Sequence, residues 1–352
     1  MAYSTIPKGS LYMNTVLYSG TGSEHTISGV SFQPDWTWLK SRTNGQPHMV
    51  SDAVRGGSKQ LYPDTNGGET SYSQYLKSFN SDGFVLGTDG GINASGQTYA
   101  SWNWKAGTAV SGSTSGSGTA KTYTGSVNAT AGFSIVKYTG NGTAGHTIPH
   151  HLGVAPKMII VKSTAGSQSW IVLPPTSDGY NKDMKLEDTS ALGNSDTWNN
   201  TAPTSTVFSV GSNTNMNAND VTLISYSFAD VKGYSKMAPY VGNGNADGTF
   251  VYTGFKPTWI MIKRTDGSNQ WIMLNNKMSL YNNNTGDELY ADSSAAQNSF
   301  TDGGADFLSN GFKLRGTNAS VNGSNMNYIF MAFASNPFVA TSGSDAIPVT
   351  AR

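Results

Sequence analysis

The stretch Pro156-Lys-Met-Ile-Ile-Val-Lys162 decides the fold class. A proline opens it, a lysine closes it six residues later, and the centre is apolar. Ile159, Ile160 and Val161 run without a polar break, which predicts a short strand covered on both faces. Proline suits the start of a strand, where a missing ladder donor costs little. The device occurs twice more: Pro34 to Lys40 encloses Trp36-Thr-Trp-Leu39, and Pro257 to Lys263 encloses Trp259-Ile-Met-Ile262.

Reading outward, the three copies share further landmarks, the signature of an internal repeat. Upstream stand Tyr18-Ser-Gly-Thr-Gly22, Tyr138-Thr-Gly-Asn-Gly142 and Tyr240-Val-Gly-Asn-Gly244, with the tyrosine 16, 18 and 17 residues before the proline. Eight residues past each lysine come His48, Trp170 and Trp271. Then follow Ser81-Asp-Gly-Phe84, Ser205-Thr-Val-Phe208 and Ser309-Asn-Gly-Phe312, with Asn93, Asn217 and Asn322 nine, nine and ten residues after the phenylalanine. Each copy closes on an aromatic-rich run: Tyr99 to Trp104, Leu223 to Phe228 and Tyr328 to Phe333.

About seven short strands in roughly 100 residues, bounded by Gly, Pro and Asn turns, describe a β-sandwich or jelly roll. The fold expected is all-β: three tandem β-sandwich, jelly-roll-like repeats over residues 1–105, 132–230 and 236–336, with a polar C-terminal arm over 337–352. Residues 106–131, which include Gly107-Thr-Ala-Val-Ser-Gly-Ser-Thr-Ser-Gly-Ser-Gly-Thr-Ala120, have linker composition. Repeats two and three are close enough in sequence to pack together. Leu223, Ser225 and Ser227 alternate with Ile224, Tyr226 and Phe228, as in a strand with one polar face. Only residues 181–192 and 287–299 have a composition that could hold a helix.

Composition excludes several functions. The 352 residues carry 22 Lys plus Arg against 22 Asp plus Glu, so no basic face for nucleic acid is expected. No apolar run approaches the length of a membrane span, and Met1-Ala-Tyr-Ser-Thr-Ile-Pro-Lys8 lacks the charged and apolar regions of a signal peptide. Absent cysteine removes disulfides and thiol chemistry.

Several phrases resemble a repeat of predicted tail-fibre and virion structural proteins of marine bacteriophages. They are Phe32-Gln-Pro-Asp-Trp-Thr-Trp-Leu-Lys40, Asp52-Ala-Val-Arg-Gly56, Ser78-Phe-Asn-Ser-Asp-Gly-Phe84 and Trp102-Asn-Trp-Lys-Ala-Gly107 in the first repeat. Ala131-Gly-Phe-Ser-Ile-Val136, Leu152-Gly-Val-Ala-Pro-Lys-Met-Ile-Ile-Val-Lys162 and Pro348-Val-Thr-Ala-Arg352 extend the likeness over almost the whole chain. The third repeat departs from the wording, reading Gly254-Phe-Lys-Pro-Thr258. The resemblance implies a virion component assembled in the host cytoplasm and transfers no catalytic residue.

Candidate chemistry is sparse. His146, His150 and His151 cluster, but adjacent residues of a strand point to opposite faces, so one ion would need a symmetry axis to gather them. Asp183, Glu187 and Asp188 in repeat two, with Asp287, Glu288 and Asp292 in repeat three, could serve a glycosidase, but nothing pairs them. Asp89-Gly-Gly and Asp302-Gly-Gly-Ala-Asp306 are turns that could take calcium or simply turn. No catalytic, metal or cofactor site is expected, and the chain is read as a non-enzyme.

Glycan binding suits the aromatic and Asn-rich loops better, since sugars stack on ring faces presented by loops of a rigid sandwich. The repeated Trp36, Trp38, Trp102 and Trp104 are assigned to cores, because their counterparts in other repeats include Ile, Tyr and Phe. The non-repeated Tyr72, Tyr75, Trp198 and Tyr281 are the glycan-binding candidates. The expected function is a tail fibre or receptor-binding component of the virion. It would contact other virion proteins and host-surface polysaccharide, with a homotrimer expected by analogy with phage fibres. The alternative is a capsid decoration or head-fibre protein, favoured because the first repeat begins by about residue 11, leaving no evident attachment domain before it. A cellular adhesin is a third reading.

Overall fold

The computed structural model describes residues 4–176, 178–278, 286–300 and 303–336. Almost every regular element is a strand, and no helix among these residues is long and apolar enough to cross a membrane. The first repeat contains β1 (Met13–Ser19), β2 (His25–Ile27), β3 (Trp36–Ser41), β4 (Met49–Asp52), β5 (Lys59–Gln60), β6 (Thr70–Ser71), β7 (Leu76–Asn80), β8 (Gly83–Leu86) and β9 (Thr98–Trp104). The second contains β10 (Thr108–Ser113), β11 (Ser115–Gly116), β12 (Thr122–Asn128), β13 (Phe133–Thr139), β14 (His146–Pro149), β15 (Met158–Ser163), β16 (Ile171–Leu173), β17 (Lys182–Lys185), β18 (Gly193–Asn194), β19 (Val207–Val210) and β20 (Thr222–Phe228). The third contains β21 (Ser235–Val241), β22 (Asp247–Tyr252), β23 (Pro257–Arg264), β24 (Ile272–Asn275), β25 (Gly286–Tyr290), β26 (Asn298–Phe300), β27 (Ala305–Leu308), β28 (Gly311–Arg315) and β29 (Asn327–Ala334).

The same topology recurs three times. The large sheets share one antiparallel order, β1-β9-β3-β4, β13-β20-β15-β16 and β21-β29-β23-β24, and each is faced by a small sheet: β2-β8-β7, β14-β19 and β22-β28-β27. The strand predicted from Pro156 to Lys162 is β15, and it lies between β20 and β16 in its sheet.

Each core strand buries two different faces. Ile159 and Val161 point into their own sandwich, with Ile148, Phe208 and Leu223. Met158 and Ile160 point the other way, into a cluster that also holds Trp36, Trp104, Trp259 and Phe333. Alternation by two thus feeds two cores from one run, which is why the run reads as continuously apolar. The large sheets of all three repeats back onto this shared cluster, so the repeats close into a ring and are not strung in line. Aromatic rings dominate its end nearest Ile6 and Ala334. Trp36 stacks on Tyr226 at 4.7 Å, Phe133 on Phe228 at 4.9 Å, and Trp104 meets Trp259 edge to face at 5.6 Å.

Three expectations need correction. Residues 106–131 are not a linker. Their Thr, Ser and Val side chains suit an edge, and β10 and β12 add two strands beside β13 while β11 pairs with β14. Residues 181–192 and 287–299 hold strands, among them β17 and β25, because each continues its sheet from the neighbouring hairpin. The only α-helices among the described residues are single turns, α1 (Gly90–Asn93) and α2 (Thr214–Asn217). Finally, the serine face of β20 is not solvated: Ser225 and Ser227 are buried inside the sandwich, and Ser225 Oγ donates to the Val136 carbonyl.

In repeat three the edge left open is guarded. β21 has no outer neighbour, but Pro239 offers no donor, Asp230 accepts from the Met237 N–H at 2.8 Å, and Thr249 Oγ1 donates to the Val241 carbonyl at 2.9 Å.

Candidate functional site

The seams between repeats are built from the landmarks noticed first. Lys162 Nζ donates to the Asn66 carbonyl of repeat one at 3.1 Å, Lys263 Nζ to the Thr189 carbonyl of repeat two at 2.9 Å, and Lys40 Nζ to the Ser294 carbonyl of repeat three at 3.1 Å. Each repeat thus reaches one neighbour and receives the other, closing a cycle. Four residues before each acceptor lies a second one. Trp170 Nε1 donates to the Tyr62 carbonyl at 3.0 Å and Trp271 Nε1 to the Lys185 carbonyl at 2.9 Å. At the third seam the buried His48 ring faces the backbone of Tyr290.

Between the two acceptors of each repeat sits a carboxylate. Asp64 accepts from the His48 N–H at 3.1 Å, Glu187 from the Trp170 N–H at 3.0 Å and Asp292 from the Trp271 N–H at 2.9 Å. Burial disfavours charge on both partners. It lowers Lys40, Lys162 and Lys263 each to about 8, raises Asp64 and Asp292 to about 6, and raises Glu187. The glycosidase candidates Glu187 and Asp292 are therefore capping groups of the seam. Asp183 accepts from Thr197 Oγ1, and Asp188 lies 3.9 Å from Lys185. Glu288 is buried in repeat three with Tyr290 as partner, and burial raises it to about 7.

A second threefold motif shapes the rim. Asn217 accepts from the Asn141 N–H at 2.8 Å and donates to the Thr143 and Gly211 carbonyls, both at 2.9 Å. Asn93 and Asn322 clamp the corresponding turns. The first glycine of each Tyr-x-Gly-x-Gly is required by this closeness: a Cβ at Gly140 would stand 2.4 Å from the Ala218 carbonyl oxygen.

The sugar candidates separate cleanly. Tyr72 is 47 % exposed and meets Tyr75 edge to face at 5.1 Å, while Tyr75 OH is held by Tyr62 OH at 2.9 Å. This pair forms a fixed aromatic shelf on the rim of repeat one. Trp198 has no face to offer, because it is buried against Phe208 in the core of repeat two. Tyr281 lies outside the described residues, as does Asp302.

His146 and His150 are buried and bonded within repeat two, and burial lowers His150 to about 4. Only His151 of the three reaches solvent, with Nε2 2.9 Å from Tyr123 OH. Among the described residues no group of three His, Asp or Glu side chains could hold a metal ion. Asp89 caps α1 by accepting from Gly91 N–H, and Asp306 pairs with Arg315, so both turns have structural roles.

Sequence reasoning missed a cleft of about 580 Å³ between repeats two and three, lined by Asp178, Lys182, Tyr240, Val241, Asp266 and Tyr328 among others. It lies beside the guarded edge of β21, and although Tyr240 and Tyr328 belong to repeat landmarks, the facing wall comes from repeat two, so no local pattern shows a cleft there.

Ring closure around one core and loops held on a rigid rim define a closed, three-sandwich architecture. Residues 8–337, spanning all three repeats, match the model of a family described as a domain of unknown function (DUF7483), and the chain belongs to that family. No curated protein and no solved structure matches it.

Proposed function

We propose that the chain is a structural protein of a bacteriophage particle, serving as a receptor-recognising component of a tail fibre that holds host-surface glycan on its rim. The observation that carries the reading is the Tyr72–Tyr75 shelf, which presents an exposed ring on a loop anchored to the seam. Such a ring stacks on the apolar face of a sugar, and Gln74, between the two tyrosines in sequence, can bond its hydroxyls. Single contacts of this kind are weak, so several copies per fibre would supply the binding strength. A homotrimer remains part of the fibre proposal. The fibre would set it, because contacts that three separate sandwiches would need are made here within one chain.

A capsid decoration is the second reading. It is favoured by the position of both described chain ends at one end of the ring: Ile6 enters the shared core, and Ser10 N–H donates to the Ser335 carbonyl at 2.9 Å. Locating and counting the chain in intact particles by cryo-electron microscopy separates the two. Copies in threes or sixes at the tail support the fibre, whereas dozens to hundreds over the head replace it with the decoration.

A further inference from the structure

We propose that Asn66–Gly67 is a self-modifying site, at which Lys162 of the neighbouring repeat promotes conversion of Asn66 to isoaspartate. In an Asn–Gly step the glycine nitrogen can attack the asparagine side-chain carbon, because no Cβ crowds the approach. The reaction needs a free glycine N–H, an open side-chain amide, and a partner for the negative charge that the peptide takes on. Six such steps occur in the chain, at Asn44, Asn66, Asn141, Asn243, Asn310 and Asn322. In the rim turns the glycine is already committed. Gly142 N–H donates to the Asn217 carbonyl at 2.8 Å, Gly244 N–H to the Asn322 carbonyl at 2.9 Å and Gly323 N–H to Tyr328 OH at 2.8 Å. Gly311 is buried between Tyr252 and Leu308 of its two neighbouring strands.

Asn66 meets all three needs. It is exposed, and among the described residues neither its side-chain amide nor the Gly67 N–H has a hydrogen-bond partner. A Cβ at Gly67 would meet only Thr65 Oγ1, at 3.5 Å, so the approach is open. Lys162 Nζ donates at 3.1 Å to the Asn66 carbonyl, which belongs to the very peptide whose nitrogen reacts. When that nitrogen loses its proton, charge spreads onto the carbonyl oxygen, where the ammonium already stands. The Gly67 nitrogen then bonds to Asn66 Cγ, and Nδ2 leaves with the proton as ammonia, giving a cyclic imide. Water opens the ring. Attack at the carbonyl that Lys162 polarises gives isoaspartate, with the chain rerouted through Cγ and a new carboxylate facing Lys162. Tyr62 and Glu69 tie this loop to Trp170 and Thr164 of repeat two, so the added main-chain carbon falls between two fixed points. Asn44–Gly45 is exposed too, but its carbonyl stands 3.4 Å from Lys40 Nζ and takes the Gln46 N–H at 2.9 Å. At the other seams the acceptors Thr189 and Ser294 precede Ser190 and Ala295, which leaves one seam of three able to react.

The test is to age the purified full chain at neutral pH, read each Asn–Gly peptide by mass spectrometry, and label isoaspartate with an isoaspartyl methyltransferase. Asn66 should convert about tenfold faster than the other five sites, mainly to isoaspartate. Lys162→Met should slow Asn66 by about tenfold and lower the isoaspartate share, while Lys162→Arg should keep most of the rate. Since Lys162→Met also removes a seam contact, the parent chain aged in guanidinium chloride gives a second reading. There Asn66 should lose its lead, because the lysine no longer stands beside its carbonyl. Conversion of Asn44 or a rim asparagine as fast as Asn66, an undiminished rate in Lys162→Met, or a lead that survives unfolding would each overturn the proposal.

Discussion

The indole N–H of Trp38 donates to Nδ1 of His48 at 2.8 Å, so the histidine carries its own proton on Nε2, turned toward repeat three. That bond lets an imidazole stand where the other two seams use an indole. Burial holds His48 well below its ordinary 6.5, so the ring stays neutral in mild acid. Replacing Trp38 by Phe removes the tautomer lock and keeps a smaller aromatic ring in the core. We expect a loss of about 1–2 kcal/mol in urea unfolding, because Nδ1 is left buried without a donor. An unchanged midpoint would show that the tautomer does not matter.

Lys263→Met strips the Thr189 and Asn269 carbonyls of their donor. The expected cost is about 1–3 kcal/mol for the unsatisfied groups, measured by urea unfolding. Because the seam is shared, unfolding should stay a single transition instead of releasing repeat three alone.

The shared core should fail as a unit. Trp259→Ala removes a ring that touches both Trp104 and Phe333, with an expected cost of about 3–5 kcal/mol. Fluorescence of the remaining tryptophans and far-ultraviolet circular dichroism should then report the same midpoint. Two separated midpoints would mean that the repeats hold together independently.

Stability should bend with pH in two opposite directions. Lys40, Lys162 and Lys263 fall to about 8 in the folded chain from 10.5, so between those values the unfolded chain binds more protons and stability rises with pH. Buried Tyr138 and Tyr240, both raised, reverse the slope above about pH 10. Glu288 rises to about 7 from 4.5, so across that window the folded chain binds more protons and stability falls as pH rises. Glu288→Gln should flatten the lower slope and Lys263→Met the upper, in melting curves taken at half-unit steps of pH.

Tyr72→Ala and Trp198→Ala should part company. The first exposes nothing and should leave stability within about 0.5 kcal/mol, while the soluble chain loses its ability to compete with particles for host cells. The second opens a cavity in repeat two and should cost about 3–5 kcal/mol. If Tyr72→Ala competes as well as the parent, the shelf is not the receptor site.

Much of this was legible because the repeat is physical before it is statistical. Gly140 and Asn217 cannot vary without breaking the same turn, so their spacing survives in all three copies. The strand from Pro156 to Lys162 was readable from its run of apolar residues. Its two destinations were not, since Met158 meets partners from other repeats that no local pattern reveals. The lysines mark strand ends, but their acceptors across the seams lie more than 70 residues away. Trp198 looked as available as Tyr72 because both lie in loops of non-repeated sequence, and only packing against Phe208 distinguishes them. Residues 106–131 read as a tether because Thr and Ser at a sheet edge have the composition of a tether.

His48, Trp170 and Trp271 hold equivalent seams with different chemistry. A trimer of identical subunits must change all three corners whenever its gene changes one. Here each corner is spelled separately, so a substitution on one rim loop alters a third of the ring and leaves the other two thirds as they were. Such a molecule can drift toward three unlike contacts with its surroundings while its centre stays fixed.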